Sequence, residues 1–172
     1  MKKEKERTLL LGSSIIEKWP NNQILPNSEN LGISGLTSNQ LIESYSSDIL
    51  KNKKNKNIIL YIGSNDITHN PNISPNEIYK NITEFISQIQ IQIKNIIFVA
   101  ILKSPKRTIP QKNKIDIINR KMREFSQKHP NIYFCNLNRE LSSPKNYLSD
   151  QIHLSESGYS ILSQHVLERI HS

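Results

Sequence analysis

Short apolar runs alternate with amphipathic stretches along this chain of 172 residues, and no other feature of the sequence constrains its fold as strongly. The apolar runs at residues 8–11, 57–62, 96–102 and 132–135 are typical of strands, and we interpret residues 28–31 as a short second strand. The stretches between them repeat apolar residues at helical spacing, for example at Leu41, Ile42, Tyr45 and Ile49. Strands that alternate with helices predict a parallel sheet with helices on both faces, here a five-stranded, three-layer α/β/α sandwich.

The length of the chain and its N-terminal composition indicate one domain over residues 1–172 that begins with a short tail. Residues 1–6 are mostly charged and predict a solvated segment, because the apolar stretch behind them is too short for a secretory signal. No apolar run reaches the length of a membrane span. The single Cys135 cannot form an internal disulfide. We therefore expect a cytoplasmic protein without a membrane partner.

The formal net charge of +8 raises the alternative of a nucleic-acid partner. Lysine, asparagine and isoleucine are frequent throughout the chain, which indicates a compositional bias rather than a basic binding face. The densest basic run, residues 51–56, lies between a predicted helix and a predicted strand, and we interpret it as a solvated helix end. No aromatic side chains interleave with it to stack on bases. The sequence therefore favours no nucleic-acid partner.

Glycines mark the loops that follow the predicted strands. Four of the five glycines in the chain lie in such loops, at Gly12, Gly32, Gly35 and Gly63. The loops behind parallel strands gather at one edge of the sheet, which is where ligands bind in this class of fold. The sequence therefore predicts a functional site at this edge.

Side chains suited to acyl transfer occupy the same loops. Ser14 follows the first strand at a helix N-terminus, a position that favours a nucleophile. His153 would take the serine proton, and Asp150, three residues earlier, would orient the imidazole. The backbone N–H groups of Ser14 and Gly35 and the side-chain amide of Asn65 would stabilise the oxyanion.

Each of these residues also has a purely structural interpretation. Ser13 or Ser14 could simply cap the first helix, Asp150 could cap a turn, and His153 could be an ordinary loop histidine. The motifs nevertheless occur in order, each behind its own strand, and this favours the catalytic interpretation.

The chain resembles the SGNH (GDSL-like) hydrolases over nearly its whole length. The motifs that carry the resemblance are Gly12-Ser13-Ser14-Ile15, Asn30-x-Gly32-x-x-Gly35, Gly63-x-Asn65-Asp66 and Asp150-x-x-His153. The resemblance implies a flavodoxin-like sandwich and a serine mechanism without metal or cofactor. It implies catalytic roles for Ser14, Gly35, Asn65, Asp150 and His153. Ser13 stands where the family usually has aspartate, which makes Ser13 an alternative nucleophile, although the family's register favours Ser14.

The function that we predict is hydrolysis of short acyl esters, acetyl esters first, through an acyl-enzyme, with a carbohydrate as one candidate carrier of the ester. The chain has no insertion large enough for a lid, so we expect an open, shallow site. Two alternatives remain at this stage. An O-acetyltransferase would use the same triad and pass the acetyl group to a glycan hydroxyl, whereas a catalytically silent carbohydrate-binding domain would not use it.

Five further residues are candidates for substrate binding. Lys103, Lys106 and Arg107 lie in the loop after the fourth strand and would attract a small-molecule or glycan ester that is anionic. The alternative is a solvated loop in a lysine-rich protein. Ser13 and His69 lie in other loops at the same predicted edge.

Overall fold

A computed structural model of the protein describes residues 6–20, 27–45, 50 and 55–171. Some sequence predictions concern residues outside these ranges. They are the solvated tail over residues 1–5, the apolar position Ile49 of the second helix, and residues 51–54 of the basic run.

Five parallel strands form one sheet, which confirms the predicted fold class. The strands are β1 (Arg7–Gly12), β2 (Ser28–Asn30), β3 (Asn55–Tyr61), β4 (Asn95–Val99) and β5 (Ile132–Cys135). Their order in the sheet is β2-β1-β3-β4-β5, and every neighbouring pair is parallel. This is the flavodoxin-like order, in which the chain reverses its direction of growth between β1 and β3.

Strand β4 ends three residues before the predicted end at residue 102. The reason is that Ile101 pairs with a side chain instead of a strand. Asn119 accepts a hydrogen bond from the Ile101 N–H and donates one to the Ile101 carbonyl, both at 2.9 Å. The apolar run continues because Ala100, Ile101 and Leu102 are buried under the loop that follows.

Six helices and two short 3₁₀ segments connect the strands in the described part of the chain. The helices are α1 (Ser14–Glu17), α2 (Leu41–Ser44), α3 (Ser64–His69), α4 (Pro75–Ile89), α5 (Ile109–Gln127) and α6 (Glu156–His171). The 3₁₀ segments are Ser38–Gln40 and Pro144–Asn146. Helix α3 replaces the loop that the sequence predicted there. Helix α2 is only one turn long, and the predicted core residue Ile42 is 45% exposed.

The core lies on both faces of the sheet because each central strand is apolar on both sides. On β1, Leu9 and Leu11 face one layer and Leu10 faces the other. The first layer contains the buried faces of α4 and α5, and the second contains those of α1 and α6. None of the helices in the described ranges is both long and apolar enough to cross a bilayer.

Candidate active site

The turn after β1 presents one of its two serines to the site and buries the other. Gly12 ends the strand at φ +130°, and Ser13 continues in extended geometry as the N-cap of α1. The Ser13 N–H donates to the Tyr61 carbonyl at 3.0 Å, and the Ser13 carbonyl accepts from the Ile16 N–H at 2.8 Å. The Ser13 side chain is 1% exposed, whereas Ser14 is only partly buried. The backbone of the turn therefore directs the Ser14 side chain towards the sheet edge.

A chain of hydrogen bonds joins Ser14, His153 and Asp150. His153 Nε2 lies 3.1 Å from Ser14 Oγ, and His153 Nδ1 lies 2.6 Å from Asp150 Oδ2. The other carboxylate oxygen, Oδ1, accepts the backbone N–H groups of Ile152 at 2.9 Å and His153 at 3.0 Å. The carboxylate thus fixes both the ring of His153 and the backbone that carries it.

The ionisation of Asp150 follows from these contacts. The hydrogen bond from the His153 side chain is the main cause that holds the pKa of the Asp150 carboxyl well below its usual range. The N–H groups of His153 and Ile152 lower the pKa further, and partial desolvation opposes them. Asp150 is therefore an anion at neutral pH and stabilises positive charge on the imidazole.

Three hydrogen-bond donors at the sheet edge are suited to an oxyanion. The N–H of Ser14 is the first in α1, and neither it nor the N–H of Gly35 binds a group within the described residues. Gly35 has φ +81°, a conformation that glycine adopts without a steric cost. Asn65 lies in the first turn of α3, and its side-chain nitrogen donates one hydrogen to the Leu36 carbonyl at 2.9 Å. The second amide hydrogen remains for a ligand.

Buried polar side chains hold the loops of the site together. Asp66 accepts the N–H of Ser38 at 3.0 Å and its hydroxyl at 2.6 Å, which ties α3 to the loop that contains Gly35. The Tyr45 hydroxyl accepts the Gly12 N–H at 2.8 Å and donates to the Leu31 carbonyl at 3.1 Å. Burial raises the pKa of Tyr45 to about 12, so the neutral phenol can both accept and donate.

Helix α6 fixes α1 from the other side. The Tyr159 hydroxyl donates to the Ile15 carbonyl at 2.9 Å, and Trp19 Nε1 donates to Ser163 Oγ at 2.8 Å. Each contact joins residues 144 positions apart, and no pattern in the sequence indicated it.

A cavity of about 140 Å³ lies beside the three hydrogen-bonded side chains. Ser14, His153 and Asn65 line it together with two residues of the loop after β4, Ser104 and Arg107. Cavities that bind whole drug-sized ligands are usually about 300 to 1,000 Å³. Only a small group of a substrate therefore fits here, and the rest of it lies outside.

The structure separates the five predicted substrate-binding residues. Arg107 lines the cavity and is 7% exposed. Lys103 Nζ instead pairs with Asp116 at 2.9 Å, and Lys106 is exposed. His69 is exposed at the end of α3, and Ser13 is buried in its turn. In the described ranges, these four residues are not part of the cavity wall.

A serine, a histidine and an aspartate in one hydrogen-bonded chain, at the switch point of a parallel sheet, define the class of serine hydrolases. Residues 11–161 match the model of the GDSL-like lipase/acylhydrolase family, and this range includes Ser14, Gly35, Asn65, Asp150 and His153. The chain belongs to that family and is an esterase or acylhydrolase, which confirms the predicted family and enzyme class. No curated protein matches the chain at a significant level.

Solved structures of other proteins share the fold of this chain. A member of the lipolytic G-D-S-L family from Veillonella parvula is 16% identical, with a TM-score of 0.80, and the match covers 95% of this chain and 97% of that one. Axe2, an acetylxylan esterase from Geobacillus stearothermophilus, is 19% identical with a TM-score of 0.77, over 99% of this chain and 96% of that one. At these identities the likeness shows the fold.

Proposed function

We propose that this chain is a serine esterase that hydrolyses short acyl esters, acetyl esters first, through an acyl-enzyme on Ser14. The hydrogen-bond chain from Asp150 through His153 to Ser14 carries the proposal, because it supplies the orienter, the base and the nucleophile in sequence. The small cavity beside Ser14 favours a short acyl group over a long alkyl chain.

The proposed reaction has two halves. In the first half, His153 Nε2 takes the proton from Ser14 Oγ while Oγ attacks the carbonyl carbon of the ester. The N–H groups of Ser14 and Gly35 and the amide of Asn65 stabilise the oxyanion that forms. The intermediate then expels the alcohol oxygen, which receives the proton from His153. In the second half, His153 Nε2 takes a proton from a water molecule whose oxygen attacks the acyl carbon. The bond from this carbon to Ser14 Oγ then breaks, and Oγ receives the proton from His153 as the acid leaves.

Acetylated glycans are the first natural substrates to test. Axe2 is described as an acetylxylan esterase, and two solved variants of it, described as catalytic mutants, replace a serine and an aspartate. Those are the residue types of Ser14 and Asp150. Because a sugar ring exceeds what the small cavity holds, we place the acetyl group inside it and the glycan in the open space around it.

The function can be tested with an acyl series and a covalent probe. We expect the purified protein to hydrolyse 4-nitrophenyl acetate faster than the butyrate and octanoate, and to release acetate from acetylated xylooligosaccharides. A fluorophosphonate should label Ser14, as read by peptide mass. Failure of both labelling and hydrolysis would favour the silent binding domain. Acetylated acceptor in place of free acetate would favour the transferase.

The ionisation of Asp150 limits the number of groups that can shape the pH dependence of kcat/KM. Because its pKa lies well below the usual range, this carboxyl stays deprotonated throughout the working range and adds no step of its own. We expect the logarithm of kcat/KM for 4-nitrophenyl acetate to rise with pH at a slope of one, because the general base is then the only group that must lose a proton. A slope of two would contradict the assignment, since it requires a second group to deprotonate.

The role of Asp150 predicts a further kinetic result. Asp150→Asn should lower kcat by about 10³- to 10⁴-fold, because an amide neither fixes the reactive tautomer nor stabilises the imidazolium. Asp116→Asn is the matched control, because Asp116 pairs with Lys103 away from the cavity, and it should change kcat less than about twofold. Similar losses in both variants would argue for a general effect of charge.

Asn65→Ala should lower kcat by about 100- to 1000-fold and change KM little, because the amide donates most strongly to the oxyanion of the transition state. Asn113→Ala, which removes an exposed amide from α5, is the control and should leave both constants near wild type. A rise in KM at constant kcat would instead assign Asn65 to ground-state binding.

A further inference from the structure

Arg107 is a buried cation without an anionic partner in the described residues. Its guanidinium donates to the Thr68 hydroxyl and to the hydroxyl and carbonyl of Ser64, all of which are uncharged. None of the ion pairs in the described ranges includes Arg107. Yet this side chain is only 7% exposed and lines the cavity beside Ser14.

Within the described part of the chain, the surroundings of Arg107 do not supply the missing negative charge. The nearby Tyr61 is buried, and burial raises the pKa of its hydroxyl, so the phenol stays neutral at pH 7. Burial also lowers the pKa of Arg107 itself, but a guanidinium remains protonated in proteins. A buried charge of this kind is costly unless something compensates it.

Two buried polar atoms on side chains that line this cavity also have no hydrogen-bond partner among the described residues. They are Arg107 Nε and the hydroxyl oxygen of Ser104, which is 2% exposed. Buried polar groups in folded proteins nearly always have partners, so two orphaned donors on side chains that line one small cavity indicate a ligand that accepts from them. A positive charge beside these donors indicates that the ligand is an anion.

We propose that Arg107 and Ser104 form a carboxylate-binding subsite, so that this enzyme prefers esters that carry a carboxylate a few atoms from the scissile bond. The inference rests on the proposed esterase function and adds the substrate class. A carboxylate would accept hydrogen bonds from the guanidinium and from the Ser104 hydroxyl. Arginine binds carboxylates strongly because its planar guanidinium matches them in geometry and in charge. The small volume of the cavity keeps this carboxylate close to Ser14.

Matched pairs of esters test the preference and show which half of the substrate carries the charge. Monoethyl succinate and ethyl butyrate have acyl chains of equal length, and only the first acyl chain ends in a carboxylate. The pair 3-acetoxybenzoate and methyl 3-acetoxybenzoate places the carboxylate on the alcohol half. Hydrolysis can be followed by titration of the released acid. In at least one pair, we expect kcat/KM for the anionic ester to exceed that for the neutral ester by about 10- to 100-fold.

Variants locate the source of the preference. Arg107→Gln should remove it, and Arg107→Lys and Ser104→Ala should reduce it. Lys106→Gln is the matched control, because it removes a neighbouring but exposed charge, and it should leave the ratio of anionic to neutral rates unchanged. If Arg107→Gln fails to fold, as judged by circular dichroism and thermal melting, the other two variants decide. A wild-type ratio near one, or a ratio that falls equally in Lys106→Gln and disappears in salt, would overturn the subsite.

A binding measurement separates this inference from the proposed function. Succinate and 3-hydroxybenzoate can be titrated calorimetrically into Ser14→Ala and into the double variant Ser14→Ala/Arg107→Gln. We expect at least one of them to bind only where Arg107 is present. If wild-type protein hydrolyses none of the four esters but the Arg107-dependent binding persists, the esterase function fails and the anion subsite stands. If the neutral esters are hydrolysed and neither anion binds, only the subsite fails.

Discussion

Replacing Ser14 with alanine is expected to lower kcat for 4-nitrophenyl acetate on the order of 10⁵-fold, without a change in the melting temperature. The loss is this large because the variant has no oxygen that can form the acyl-enzyme, so only the oxyanion donors and binding remain. Stability should not change, because Ser14 is partly exposed and its hydroxyl contacts only the His153 ring among the described hydrogen bonds. Steady-state kinetics and fluorophosphonate labelling check the prediction together.

Ser13→Ala is the matched control, because it removes the same atom from the neighbouring residue. The Ser13 side chain makes no capping hydrogen bond to α1 and is 1% exposed, so we expect a loss of only a few fold. The sequence left Ser13 as an alternative nucleophile, and the structure places Ser14 within hydrogen-bond distance of His153. A large loss in Ser13→Ala together with an active, labelled Ser14→Ala would overturn the assignment.

The fold could be predicted because the central strands are buried on both faces. The continuous apolar run before Gly63 becomes β3, and the shorter run before Gly12 becomes β1. Since every strand is followed by a helix or a loop that returns over the sheet, the parallel arrangement follows from connection rules alone. The sequence therefore predicted the sheet edge on which Ser14 and Asn65 meet.

Local structure with a weak apolar pattern could not be predicted in the same way. Helix α3 contains Ser64, Asn65, Asp66 and Thr68, which are poor helix formers, and only Ile67 marks its buried side. Tertiary contacts stabilise this helix, chiefly Asp66 with Ser38 and Arg107 with Ser64. Such contacts override local propensity and are visible only once the chain has folded.

Sequence patterns also could not predict which cation of the loop after β4 is buried beside Ser14. Arg107 was one of several cations in a polar loop, and the pattern gave it no distinction from Lys103 and Lys106. The fold distinguishes them, because Arg107 is buried and donates to Ser64 and Thr68 of α3, whereas Lys103 pairs with Asp116 and Lys106 is exposed. Contacts between residues that are far apart in the chain decide which of the three cations becomes buried.

Replacing Gly12 with alanine is expected to destabilise the protein by about 3 to 5 kcal/mol, the largest effect on stability that we predict for a single methyl group. Gly12 has φ +130°, and a Cβ built on it would lie 1.9 Å from the Tyr61 carbonyl oxygen. That oxygen belongs to β3 and accepts the N–H of Ser13, so it cannot move without separating β1 from β3. Urea unfolding followed by circular dichroism measures the loss, and the disturbed turn should lower kcat as well.

Gly35→Ala is the control that separates collision from backbone strain. Gly35 also has positive φ, at +81°, but nothing lies within 4 Å of a Cβ built there. We expect it to cost about 1 to 2 kcal/mol, which is the strain of the left-handed conformation alone. If the two substitutions destabilised the protein equally, the collision of the new methyl group with the Tyr61 carbonyl would cost nothing beyond backbone strain. A larger loss of stability in Gly12→Ala than in Gly35→Ala would show that the contact between β1 and β3 leaves no room for a side chain at position 12.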